Sequence, residues 1–189
     1  MKGVYRHFMN PSNAGISTTL VLFPWVGIAQ PYQFTENVNG QGDIILPIIF
    51  IALGTFLNSK FTKKMPLIFA WVGGFAFQAV LRHLIFGAAL IPCLLPMTGV
   101  AFLLYTFYMI SDPATTPVKK SNQIIFGFTV AMAYGALVTA HVVFGLFFSL
   151  YIICAVRGAY FFYRQLNFKS ITSKSKNEIQ LTDPVVIEK

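Results

Sequence analysis

Two short polar runs hold the residues best able to take a ligand. One is Asn10-Pro11-Ser12-Asn13-Ala14-Gly15. The other is Ser111-Asp112-Pro113-Ala114-Thr115-Thr116-Pro117, with Lys119 and Lys120 close behind. An Asp before Pro starts a turn well, because its carboxylate accepts nearby backbone N–H groups. With the Thr115 and Thr116 hydroxyls and the two lysines, this run can hold a phosphate or the edge of a flavin. The same residues can equally make a rigid turn with lysines at a lipid surface. In the first run, Ser12 or Asn13 can cap a helix, leaving its positive end for an anion or a quinone carbonyl. Asn10 and Asn13 would then stand beside the site formed by Asp112, Thr115 and Thr116.

Arg82, His83 and His141 form a second polar set, at a different depth. Arg82 and His83 lie about 24 Å along a helix that begins near Pro66. Snorkelling to headgroups or water is the ordinary role there, and facing an anionic cofactor or an ion path is the functional one. His83 and His141 on different helices could ligate haem axially. Nothing else in the sequence supports haem, and a hydrogen-bonded packing role is the alternative. Cys93 and Cys154 fall at opposite depths of their spans, too far apart for the roughly 7 Å that a disulfide needs. They read as two small apolar residues, and no metal site is expected. No acid–base pair or nucleophile is evident, so any electron chemistry would belong to a cofactor.

The elements that must position these residues are apolar. The chain is 56% hydrophobic and 16% aromatic, with only 11% charged residues, against about 25% in a soluble domain. That excludes a water-soluble globule. Its net charge of +8 does not indicate nucleic acid, because the bases border apolar stretches instead of clustering on a domain. All of the 14 Lys and Arg residues except Arg82 fall in alternate inter-span segments. Positively charged loops stay cytoplasmic. The expectation is an all-α polytopic membrane helix bundle of about six transmembrane helices with both termini cytoplasmic.

Its parts are a cytoplasmic lead-in over residues 1–13, a transmembrane domain over 14–158, and a largely disordered cytoplasmic tail over 159–189. The expected spans are about 14–30, 44–57, 66–86, 88–110, 123–139 and 141–157. The first two are short and contain Pro24 and Pro47. The fourth is interrupted by Pro92, Pro96 and Gly99. The last two form a tight hairpin bending near Thr139-Ala140-His141; a single long helix is the rival topology.

The two polar runs also resemble a known family. Asn10-Pro11-Ser12-Asn13-Ala14-Gly15-Ile16 resembles the segment that leads into the first span in RnfD and NqrB membrane subunits. Ser111-Asp112-Pro113-Ala114-Thr115-Thr116-Pro117 with Phe126-Gly127 resembles their "TDPxTxP…FG" segment. The match is closest to UnbU-type proteins of enediyne biosynthesis clusters, and it covers Arg6 to Gly158. It includes Phe23-Pro24-Trp25-Val26-Gly27-Ile28-Ala29, Tyr32-Gln33-Phe34-Thr35-Glu36-Asn37 and His141-Val142-Val143-Phe144-Gly145-Leu146-Phe147-Phe148.

The resemblance implies a multi-pass subunit of an electron-transport system in the bacterial inner membrane, using flavin (FMN or riboflavin) or quinone and linked to a biosynthetic cluster. It would be a non-catalytic subunit, partnered by other membrane subunits or by an N-terminal half of the family fold. Asn10, Asn13, Asp112, Thr115 and Thr116 would shape the inner site, while Arg82 and His141 would face the outer side. The family's flavin-attachment motif is absent from loop 31–43, where Thr35 is the only threonine. Ala114-Thr115 looks similar but sits on the cytoplasmic side, so a flavin would be held non-covalently. A transporter or channel-like protein without a redox centre, and a membrane scaffold, are the competing readings.

Overall fold

The structure is a computed structural model and describes residues 7–23, 25, 40 and 42–182. Segments 1–6, 26–39 and 183–189, with Pro24 and Gln41, lie outside the described residues. These include Lys2, Arg6, the end of the first expected span and Thr35. The described residues form helices and turns without a strand. The helices are α1 (Pro11–Leu22), α2 (Gly42–Lys60), α3 (Met65–Phe86), α4 (Leu90–Leu94), α5 (Val100–Leu104), α6 (Lys120–Thr139) and α7 (Gly145–Thr182). A 3-10 turn, Leu95–Thr98, joins α4 to α5, and a π turn, Tyr105–Met109, follows α5.

Met65–Phe86, Lys120–Thr139 and Gly145–Asn167 are long and apolar enough to cross a membrane. Leu90–Thr98 and Val100–Met109, bent by 66°, make a fourth span if counted as one. The surface suits a lipid solvent. Ile91 is 78% exposed, Val143 77% and Phe69 68%, whereas Ser17, Asn58, Gln78 and Ser149 are buried. Exposed apolar area of this extent marks contact with membrane or with other chains, and buried polar groups inside such a bundle face protein.

Local sequence explains where the helices stop. Pro66 sits in the first turn of α3, where its missing N–H is not needed. Gly87, in the left-handed conformation, ends α3 by donating its N–H to Arg82 O and His83 O. The expected fourth span is broken at Pro96 and Gly99, where proline removes a helical donor and Gly99 turns extended. The π turn beyond is held from outside. Trp71 Nε1 donates to Thr106 Oγ1 at 3.0 Å, Asn58 Nδ2 to Phe107 O at 2.9 Å, and Ser111 Oγ also to Phe107 O.

The core is aromatic. Trp71, Phe75, Phe102, Tyr105 and Tyr134 pack together, with Trp71 stacked on Phe102 and Phe75 on Tyr134. Around it α3 and α6 run parallel. Gly127 lies against Leu67 and Trp71, Gly74 against Ala131, and Gly135 against Gln78. Gly127, Ala131 and Gly135 recur every fourth residue, the small-residue spacing that lets membrane helices approach closely. A Cβ at Gly127 would stand 2.6 Å from Leu67 O, so glycine is required there.

The tail over 159–189 is expected to be largely disordered; α7 runs as a helix from Gly145 to Thr182, its apolar part ending at Asn167. Extending a helix costs far less than nucleating one, and no Gly or Pro interrupts 159–182. α1 also begins at Pro11 instead of residue 14, and α2 extends to Lys60 with Pro47 inside it.

Candidate functional site at the basic end of the bundle

The two polar runs, 102 residues apart, meet. Asn10 Nδ2 donates to Asp112 Oδ2 at 3.1 Å. The same Oδ2 accepts from Thr115 Oγ1 at 3.2 Å, and Oδ1 accepts from the Ala114 N–H at 3.0 Å. Thr116 Oγ1 donates to Asp112 O at 2.6 Å. One carboxylate therefore organises its own turn and ties it to α1. Charged acceptors make the stronger hydrogen bonds.

Asn10 works in both directions. Its Oδ1 accepts from the Ser12 and Asn13 N–H groups, so Asn10 is the N-cap of α1, not Ser12 or Asn13. Pro11 then occupies the first helical position, as is common. Asn13 turns inward with Ser17, one turn deeper. Asn13 Oδ1 and Ser17 Oγ are buried without a hydrogen-bond partner among the described residues. The buried face of α1 thus carries Asn13 and Ser17 beside Leu20, while Val21 and Leu22 are exposed.

Two cations that sequence reasoning misses complete this layer. Position along the chain groups Lys64 with Lys60 and Lys63 as a loop base. It is 3% exposed, with Nζ donating to Pro117 O at 2.7 Å and Thr116 O at 3.4 Å. A positive charge at the start of α3 opposes the helix dipole, and these carbonyls offset it. Arg157 likewise reads as a tail base. Its Nη1 donates to Thr115 O at 2.6 Å, and its guanidinium lies over Phe126 and Phe161. Planar guanidinium suits both contacts at once. Gln123 Nε2 adds bonds to Lys63 O and Val118 O. Neither Lys64 nor Arg157 is distinguishable by spacing from the other bases; only the packing marks them.

A cleft of about 720 Å³ opens beside the knot, lined by His7, Phe8, Thr115, Arg157, Phe161 and Gln165 among others. That volume falls within the usual small-ligand range of about 300–1,000 Å³. Gly158 shapes it: a Cβ there would lie 2.7 Å from the Phe8 ring, so glycine lets the segment before α1 lie against α7. The wall offers a guanidinium, a carboxamide and aromatic faces. Among the described residues no group of His, Cys, Asp and Glu could hold a metal ion, and Cys93 and Cys154 are buried free thiols.

Arg82 and His141 are not brought to this site. Arg82 lies in the last turns of α3, about 25 Å along it from Met65, and His141 follows α6 with φ 61°. Because α3 and α6 are parallel, both residues belong to the opposite end. His83 Nδ1 is 2.8 Å from Ala88 O, and an Nδ1–H donated there ties the ring to its own turn.

These features define a class: an all-α bundle with helices able to cross a membrane and a hydrogen-bonded polar layer at its basic end. No family model, curated protein or solved structure matches the chain.

Proposed function

We propose that this chain is a multi-pass subunit of a bacterial inner-membrane redox system related to RnfD and NqrB. It holds a flavin or quinone non-covalently at its cytoplasmic face. The observation that carries the reading is the Asn10–Asp112 hydrogen bond. It joins the two motifs on which the resemblance rests, beside a cleft whose lining includes Ala114 and Thr115. The side chains there bind and orient; electron transfer would be the cofactor's own chemistry.

In this reading about six segments cross the membrane and both termini are cytoplasmic. The basic layer then lies inside and the ends of α3 and α6 outside. A reporter fused after Lys120 is expected to read cytoplasmic in intact cells. An external signal there would reverse the orientation and reopen covalent flavin at Thr115 or Thr116.

The functional test is an absorption spectrum of the detergent-purified full chain before and after acid precipitation. Flavin bands that leave with the supernatant are the expected result for a flavin. A quinone in the organic extract of a colourless sample is the expected result for the other ligand. Flavin remaining in the pellet would overturn the non-covalent assignment, a Soret band would replace both cofactors with haem, and a folded sample with no cofactor would remove the redox reading.

A transport function is the second reading. Two observations favour it: the 66° break in the fourth apolar segment and the inward polar face of α1 at Asn13 and Ser17. Broken helices with polar groups at membrane depth are typical of transporters.

A further inference from the structure

We propose that the cleft between the segment before α1, the 112–117 turn and α7 recognises an acid group on a lipophilic body. The ligand class is a phosphate or carboxylate carried by an apolar ring or chain. The inference rests on the reading that this cleft is the binding site, and it narrows what can occupy it.

Charge is the first ground. The described side chains at this end carry Lys60, Lys63, Lys64, Lys119, Lys120, Arg157 and Arg164, against the single carboxylate of Asp112. Asp112 does not line the cleft. Among the described residues, the lining holds the Arg157 guanidinium and the His7 imidazole, and no acid. Guanidinium pairs with phosphate and carboxylate in a fixed planar geometry.

Geometry is the second. Arg157 is held by Thr115 O and by the faces of Phe126 and Phe161. It is preorganised, so little side-chain entropy is lost on binding. A base serving only the general charge of a cytoplasmic face needs no such fixing.

The apolar walls are the third. Phe8 is 61% exposed, Phe161 52% and Phe162 64%, and all three line the cleft. Phe161 and Phe162, with Tyr160 and Tyr163, form an exposed aromatic run near the end of the apolar part of α7. Such rings sit at headgroup level. An acid at Arg157 would thus lie at the interface, with its apolar body against phenylalanine.

The acid can come from a phospholipid headgroup or from a phosphorylated ring compound, and paired probes separate them. The thermal midpoint of the full chain in neutral detergent is followed during titration with phosphatidylglycerol against phosphatidylcholine, and with FMN against riboflavin. The expected result is half-saturation about tenfold lower for the acidic member of at least one pair, the gain of roughly one Arg–phosphate pairing. That preference should disappear in Arg157→Gln. Because Arg157 also holds Thr115, Ala159→Trp is measured beside it. This change leaves Arg157 in place and fills the cleft from an exposed lining position.

Selectivity for FMN supports both the acid site and the flavin reading. Selectivity for phosphatidylglycerol alone supports the acid site with a lipid occupant and gives the flavin no support. Equal response within both pairs overturns the proposal. So does an acidic preference that survives Ala159→Trp, since it would then belong to the surface lysines.

Discussion

Gly127→Leu is expected to prevent α3 and α6 from packing, with a loss of at least about 3 kcal/mol, the upper end of the usual overpacking range. The obstacle is backbone. A Cβ at Gly127 would stand 2.6 Å from Leu67 O and 3.1 Å from Trp71 N, and neither can rotate away as a side chain does. Elsewhere in the same seam the effect should be smaller. At Gly135 the nearest atoms are the Gln78 side chain at 3.0 Å, which can shift. Gly127→Ala should therefore destabilise more than Gly135→Ala, although the chemical change is identical. Thermal unfolding of the three variants in one detergent, followed by tryptophan fluorescence, checks the order. Trp71 touches Gly127 and is fully buried, so it reports on this seam. Equal midpoints for all variants would mean that α3 and α6 do not meet in this register.

Asp112→Asn is expected to cost about 2 kcal/mol, the order of a lost charge-assisted hydrogen bond plus a misplaced donor. It is also expected to release any cofactor bound at the basic end. The carboxamide oxygen in this variant could still accept from the Ala114 N–H. Its NH2 group, however, would point at Asn10 Nδ2 and the Thr115 hydroxyl, setting donor against donor. The reciprocal exchange, Asn10→Asp together with Asp112→Asn, restores one donor and one acceptor across the same gap. Aspartate is also as good an N-cap as asparagine, and its charge suits a helix start. The double variant should recover at least about half of the lost stability, a coupling that a double-mutant cycle measures directly. If Asp112→Asn changes neither the thermal midpoint nor cofactor content, the knot is not the organising element of this site. If the exchange recovers nothing, Asp112 matters for its charge and not for its bond to Asn10.

Much of the architecture is legible in the sequence because membrane helices announce themselves locally. Pro66 and Gly87 punctuate α3, Pro96 and Gly99 break the fourth apolar segment, and a short turn separates α6 from α7. Each signal resides in a few neighbouring residues. The helical run beyond Asn167 is not legible in this way, because the residues there are largely polar and read as disorder. The absence of Gly and Pro, together with a helix already nucleated upstream, governs instead.

The sequence by itself determined the helical, lipid-compatible character of this chain, the alternation of its basic segments and the two polar runs worth attention. Those properties depend on composition and on periodicity within one element. Only the tertiary structure decided that Asn10 bonds Asp112, that Lys64 and Arg157, among many similar bases, donate to carbonyls of the 115–117 turn, and that Gly127 cannot be replaced. Each depends on an atom supplied by a distant segment: Asp112 Oδ2, Pro117 O, Thr115 O and Leu67 O. Spacing along the chain carries no information about such a partner until the helices have packed.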